Sequence, residues 1–435
     1  MILKFQYTEL VASLTETIDL VSKVVANHHK LVAYISYSLA KEIGLSLHEQ
    51  IELEIAGSLH DIGGLTLRER LIPTQFEYED LDFHAEKGYL LLNKFKQWSS
   101  VAQMIRYHHN SWSNGMCEGI NNQEIPFGSH VLNLADRVSI LVNLDDKNIL
   151  NSANDISKKI CERKGDVFHP QVVDAFMKIA RKDSFWLGMM YLDTPNFIKQ
   201  KNNNEFFIVD DKSCEDLMIL MSCLVDYKSR FTASHSTCVA ACAESIAKYV
   251  GFSKNNTKLM KYAGYIHDIG KLAIPIEILE KPGPLSKEEF DLIRTHAYHT
   301  NRVLSKVNGL ETIRTWASQH HEKLNGMGYP FGLKGESISL GSRIMAVADI
   351  FTALREKRPY RDPLTKKKTI DILTDKADSN EIDGKLVEVV KNNFAHLDIV
   401  REIAYENRLN EYKNFTNEVE KLEKLKKNLE FSMIK

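Results

Sequence analysis

The chain has 435 residues, 43% hydrophobic and 26% charged, with a net charge of −2. That length suits roughly two to four domains, and the balance is that of an ordinary soluble globular protein with no basic footprint for polymeric nucleic acid and no acidic tail. Its six cysteines form no C-x-x-C pair, which argues against a thiolate metal site or a disulfide framework, and no apolar run approaches the length that crosses a bilayer.

The start, MILKFQYTELVASL, has no basic leader, long apolar core or small-residue cleavage site, so no secretion signal is read and a cytoplasmic location is expected. The periodicity is helical throughout. The polar run KQKNNN at 199 to 204 marks a boundary between halves, and EFFIVDD at 205 to 211 reads as a short strand or an extended linker. Beyond it, STCVAACAESIAKYVG, EFDLIRTHAYHTNRVLSKV and TIRTWASQHH space their apolar residues by three and four. Cys238 and Cys242 share one helix face there as small buried hydrophobes. In PLSKEEF, Ser286 ahead of Glu288 and Glu289 signals a helix start. The lysines at 366 to 368 read as a solvated helix face. Past about residue 405, LNEYKNFTNEVEKLEKLKKNLEF is a charged amphipathic helix whose apolar positions Phe415, Val419, Leu422, Leu425 and Leu429 pack back on the protein. The fold class expected is all-α: a first domain at 1–200, a linker at 201–212, a second domain at 213–405 and a C-terminal helix at 406–435.

Histidine departs from the ordinary. There are 16, clustered as NHHK, LHDIG, RYHHN, SHS, IHDIG, THAYH and QHHEK. His28 and His60 are 32 residues apart, as are His235 and His267. His84 precedes His108-His109 by 24, and His296 precedes His320-His321 by 24. Each half then carries a GS, an apolar stretch and AD, ending at Asp136 in GSHVLNLAD and at Asp349 in GSRIMAVAD. Spacing shared over so long a stretch marks a duplicated domain.

Neutral imidazole with carboxylate suits first-row transition metals such as iron or manganese. On a helix, neighbouring residues diverge by about 100°, so His267 and Asp268 serve two adjacent ions more easily than one, with Asp268 as the natural bridge. Five histidines and two aspartates are too many for one ion and suit two. A pair of ions polarises a phosphoryl group and generates a hydroxide nucleophile near neutral pH, the device of phosphate ester hydrolysis.

This constellation resembles the HD superfamily of metal-dependent phosphohydrolases. From about residue 226 to 400, IHDIGKLAIPIEILEKPGPLSKEEFDLIRTH, HHEKLNGMGYP and SRIMAVADIFTALREKRPYR resemble its HD-GYP family, in order and at the expected spacing. The resemblance implies hydrolysis of a cyclic dinucleotide second messenger, either cyclic di-GMP or 3′3′-cGAMP, by a metal-bridging hydroxide, giving the linear dinucleotide. It implies one ion on His235, His267, Asp268 and Asp349, and a second on Asp268, His296, His320 and His321. Lys271 would hold a phosphate oxygen, and Gly328, Tyr329 and Pro330 would shape the loop beside the metals. Arg358 and Arg361 in RPYR could fork onto phosphate or a guanine edge.

The second half departs from the family at Asn325, where an aspartate is frequent, at Thr300, where a glycine is, and at Phe231, where some members place a glutamate for a third metal. Two ions are therefore expected. The first half keeps His28, His60, Asp61, His84, His108, His109 and Asp136 as a vestigial metal site, but Gly64 replaces the lysine, Cys117-Glu118 stand where GYP would be, and nothing like RPYR follows Asp136. Chemistry is expected in the second half alone, with a structural or regulatory first half. The rivals are another HD phosphohydrolase, such as a nucleotidase or triphosphatase, and a non-catalytic signalling scaffold. The expected partner is the cyclic dinucleotide, with no membrane; a homodimer is compatible with the sequence.

Overall fold

The structure, a computed structural model, describes residues 3, 5–19, 27–64, 82–116, 124–143, 149–192, 208–209, 211–227, 234–357 and 362–433. Helices dominate it. Among the described residues the only ladder is an antiparallel pair of two-residue strands, with Phe5 opposite Val209 and Gln6 opposite Ile208. EFFIVDD therefore supplies a strand at Ile208–Val209, and a helix begins at once at Asp211.

The chain forms two compact units. One comprises Met1–Ser13 with Ile208–Glu418, the other Leu14–Phe207 with Val419–Lys435. The first thirteen residues thus belong with the second half. Ser13 Oγ donates to the Val303 carbonyl at 2.8 Å, and the Glu9 carboxylate accepts from the Asn308 backbone N–H at 2.9 Å and its side-chain amide at 2.8 Å.

In that unit, helix His235–Tyr249 lies against helix Lys254–Ile266. Its sequence, rich in alanine and cysteine, lets the two backbones close up. A Cβ on Gly264 would come within 2.4 Å of the Ala240 Cα, and in the other unit a Cβ on Gly57 would come within 2.8 Å of the Ala33 Cα. The repeat read from histidine spacing is thus also a repeat of helix packing. Cys238 and Cys242 are buried free thiols facing the carbonyls of Arg401 and Leu397. Helix Lys287–Ser305 opens with the expected cap, elaborated into a reciprocal box. Ser286 Oγ accepts from the Glu289 N–H at 3.2 Å, and the Glu289 carboxylate accepts from the Ser286 N–H at 2.7 Å.

The C-terminal helix starts earlier than the tail expected at 406, running Phe394–Met433 without a break. Its packing is described to Lys421, and Leu422, Leu425 and Leu429 lie outside the described side chains. The Phe415 ring packs at a tilt 5.1 Å from Tyr227, and Arg408 is only 3% exposed. The Arg408 guanidinium donates to Thr237 Oγ1 at 2.9 Å, Ser222 Oγ at 3.3 Å and the Glu411 carboxylate at 2.8 Å. Thr237 lies two residues from His235, so this network anchors the start of that helix. Removing one partner of a buried charged network typically costs about 3–5 kcal/mol. Arg408→Ala is expected to lower the stability of this unit by about that much, read as an earlier thermal or denaturant transition.

Candidate metal centre

The ligand residues come from five places that bury their side chains at one point. His235 is the first residue of helix His235–Tyr249. His267 caps the C-terminus of helix Lys254–Ile266, and Asp268 starts the 3-10 turn Ile269–Ala273. His296 lies within helix Lys287–Ser305, His320 and His321 follow helix Glu311–Ser318, and Asp349 lies within helix Leu340–Arg355. Neither adjacent pair is inside a helix, as the sequence reading assumed. Each sits where a helix ends, and the change of backbone direction turns both side chains inward.

Asp268 is at the middle. Its Oδ2 faces His267 Nε2 at 3.3 Å and His235 Nε2 at 3.9 Å, while its Oδ1 faces His296 Nε2 at 3.3 Å and His320 Nε2 at 4.0 Å. Asp349 Oδ1 is 3.1 Å from His235 Nε2. His235, His267 and Asp268 make one ligand-competent group, and His296, His320 and His321 another. Burial pushes the Asp268 carboxyl up, but His267 and Lys271 outweigh it and hold it well below the usual range. Burial lowers His296 to about 3 and His321 to about 4, so both rings are neutral near pH 7.

The rings are also in the tautomer that a cation needs. The Nδ1 atoms of His267, His296 and His320 donate to the carbonyls of Gly264, Ile293 and Ala317 at 2.8, 2.6 and 2.6 Å. A carbonyl can only accept, so Nε2 of each ring keeps its lone pair for the centre. Nε2 of His267 is buried with no hydrogen-bond partner. This donor set fits metal ions.

The first half repeats the arrangement. His28 begins helix His28–Ile43, His60 caps helix Leu47–Leu59, and His108 and His109 follow helix Ser99–Arg106. Asp61 Oδ2 faces His60 and His28 Nε2 at 3.4 and 3.7 Å, and its Oδ1 faces His84 Nε2 at 3.1 Å. Asp136 Oδ1 is 3.4 Å from His28 Nε2.

The family model described as "HD domain" matches residues 25–141, and a second model of the same description matches residues 218–386. The 3′3′-cGAMP-specific phosphodiesterase 1 of Vibrio cholerae is 32% identical over 384 residues, 84% of this chain and 87% of that protein. The chain belongs to the HD-domain family, with two HD domains in tandem. A cyclic di-GMP phosphodiesterase of Thermotoga maritima is 36% identical over 169 residues, 38% of this chain and 46% of that one. The crystal structure of the cyclic GMP-AMP-specific phosphodiesterase V-cGAP3 of V. cholerae shares the fold, with a TM-score of 0.60 at 23% identity over 93% of this chain and 98% of that chain. No described helix is long and apolar enough to cross a membrane.

Beside the ligands of the second HD domain, Lys271 lies in the 3-10 turn with its Nζ 2.5 Å from Asp268 Oδ2. Gly64, at the same place in the first HD domain, closes the same backbone turn. Its N–H reaches the Asp61 carbonyl at 2.9 Å, as that of Lys271 reaches Asp268 at 2.8 Å. The Tyr329 ring centroid lies 4.8 Å from that of His321, and the Arg294 guanidinium lies over the Tyr329 ring at 4.9 Å from its centroid. Gly328 is required by close approach, because a Cβ there would come within 2.5 Å of Glu322 Cα. Pro330 completes this loop. Arg358, Arg361, Phe231, Cys117 and Glu118 lie outside the described residues.

Three residues the sequence reading gave no role hold the centre in place. The buried Glu322 carboxylate accepts from the N–H groups of Phe331 and Leu333 at 2.7 and 2.8 Å and pins the loop that carries Tyr329. Thr300, noted only as a departure, donates to the His267 carbonyl at 2.9 Å and accepts from the Gly270 N–H at 3.1 Å, tying the turn to helix Lys287–Ser305. Glu356 accepts from His235 Nδ1 at 3.0 Å. Burial draws the His235 imidazole down, but the Glu356 and Asp349 carboxylates outweigh it and raise it to about 10. The signal for Glu322 was its place after the double histidine. Glu356 had none, being seven residues past Asp349 in an unremarked helix end.

A carboxylate behind a ligating imidazole fixes its tautomer and raises its basicity, and its loss typically costs about 10–100-fold in metal affinity. Glu356→Gln is expected to weaken metal retention by about that factor, measured by competition with a chelator, with the helical circular dichroism unchanged.

Proposed function

We propose that this protein is a metal-dependent phosphodiesterase that opens a cyclic dinucleotide second messenger to its linear form, with the chemistry in the second HD domain. The observation that carries this reading is the centre around Asp268 with the Lys271 ammonium beside it, in a chain that matches a 3′3′-cGAMP-specific phosphodiesterase over 87% of that protein's length. That match spans both HD domains, whereas those named for cyclic di-GMP are shorter, with 38% of this chain covered in the T. maritima case. This favours 3′3′-cGAMP as the substrate.

In this reading His235, His267, Asp268 and Asp349 hold one ion and Asp268, His296, His320 and His321 the other, iron or manganese by the mixture of imidazole and carboxylate. Two ions there would polarise the phosphoryl group and activate water near neutral pH. Asp268, with one oxygen turned to each ligand group, would be shared by both ions. Lys271 is placed to meet a non-bridging phosphate oxygen as negative charge builds at phosphorus. Tyr329, pinned through Glu322, forms a wall next to His321 against which the substrate is oriented. The bond from phosphorus to the 3′ oxygen breaks in line with attack.

Asp268→Ala and His267→Ala are each expected to abolish hydrolysis of 3′3′-cGAMP with the helical fold intact. Near-normal turnover by folded Asp268→Ala protein would overturn the mechanism. Lys271→Ala is expected to retain its metal and lose about a hundredfold or more in kcat. His60→Ala with Asp61→Ala is expected to change turnover only modestly. A panel of 3′3′-cGAMP, cyclic di-GMP, nucleoside monophosphates and triphosphates tests the substrate class directly, and preference for a linear nucleotide would favour the nucleotidase alternative.

A further inference from the structure

We infer that the first HD domain is a single-ion site, in which the guanidinium of Arg137 has replaced the second metal. Arg137 follows Asp136, and the matching residue in the second HD domain, after Asp349, is Ile350. The arginine is 6% exposed, and its Nη2 lies 3.1 Å from His109 Nδ1 and 3.4 Å from Asp136 Oδ2.

The contact with His109 decides the matter through hydrogen-bond chemistry. A guanidinium has only donors, so His109 Nδ1 must accept and the ring's proton must sit on Nε2. Nε2 is the atom turned to the centre, 2.9 Å from His84 Nε2. A protonated nitrogen cannot ligate. Arg137 thus holds His109 in the tautomer that cannot ligate through Nε2, at the place where His84, His108 and His109 converge and where His84 Nε2 also faces Asp61 Oδ1 at 3.1 Å.

The other side of the same centre is in the opposite condition. His60 Nδ1 donates to the Gly57 carbonyl at 2.9 Å, which frees Nε2. His28 Nδ1 is 3.0 Å from Ser139 Oγ, whose own proton goes to the Asp136 carbonyl at 2.7 Å. Ser139 must therefore accept from Nδ1, and His28 Nε2 also keeps its lone pair. His28, His60 and Asp136 remain a ligand-competent group, with the Asp61 Oδ2 oxygen beside them.

Charge points the same way independently. In the second HD domain three carboxylates, Asp268, Asp349 and Glu356, face one fixed cation, Lys271. In the first, Ser139 stands where Glu356 backs the histidine, leaving Asp61 and Asp136 against the one fixed cation Arg137. The first centre thus has one carboxylate fewer to compensate than the second, and buried charges persist only when compensated.

The inference takes the two-ion reading of the second HD domain as its reference, so the two domains are counted separately in the full-length chain. With His267→Ala, Asp268→Ala and His320→Ala removing both ligand groups of the second domain, protein equilibrated with manganese(II) and passed through a desalting column is expected to keep one ion per chain by elemental analysis. Adding Arg137→Ile is expected to raise this to two. If that variant is unfolded by circular dichroism, Arg137→Gln replaces it, since an amide oxygen can accept from His109 Nδ1 and restore the ligating tautomer. Two ions or none in the parent, or a count that neither Arg137→Ile nor Arg137→Gln raises, overturns the inference. The converse chain, with His60→Ala and Asp61→Ala, reports the second domain alone. Two ions there without hydrolysis of 3′3′-cGAMP would count against the proposed function and leave this inference standing.

Discussion

Burying a carboxylate costs several kcal/mol unless opposite charge and hydrogen bonds repay it, and Asp268 is buried at the meeting point of four helices and a turn. Everything about the second HD domain follows from compensating it. Imidazoles approach both of its oxygens, Lys271 reaches it from three residues along, and the rings are held by carbonyls one turn back on their own helices. The carbonyls of Gly264 and Ala317 are free because His267 and His320 sit where a helix ends and the last carbonyls have no partner within it, whereas His296 shares the Ile293 carbonyl inside its helix. The helix terminus thus performs two tasks at once: it satisfies its own backbone and sets the tautomer of a ligand.

The two HD domains show how far one scaffold can be retuned without disturbing its backbone. The closing turn after the histidine-aspartate pair makes the same hydrogen bond whether Gly64 or Lys271 supplies the N–H. What differs is where the fixed positive charge enters: from the turn in the second domain, from the helix behind Asp136 in the first. A cation on the turn faces a space that a substrate can share. A cation beneath the imidazoles is spent on the protein itself.

Much of this was legible in the sequence because metal ligation fixes residue type and the helical scaffold fixes spacing. The intervals His28 to His60 and His235 to His267 are equal because the same pair of helices lies between their members. Residues that act on the ligands rather than on the metal were harder to see. Glu356 and Ser139 both serve the histidine that begins a helix, yet one lies seven and the other three residues past its aspartate, so no shared interval betrays them. Arg137 stands beside Asp136 in the sequence, but its weight comes from one nitrogen of the His109 ring, a contact between residues 28 apart that no spacing announces. The second-half unit also draws in Met1–Ser13, through side chains such as Glu9 whose partners lie at the far end of another helix.

That last feature bears on how the protein is made. Ser13 and its partner Val303 are 290 residues apart in the chain, and Glu9 and Asn308 are 299 apart. At a synthesis rate of roughly 5–20 residues per second, the leading segment waits about 15–60 s on the ribosome before the residues it binds emerge. Through that interval its apolar face, with Leu10 and Val11 destined for burial, has no native surface to cover. The unit around Asp268 therefore draws on residues from both sides of the intervening helices, which have had time to fold before it is complete. A nascent chain of this kind gains from whatever shields its leading segment or shortens that interval.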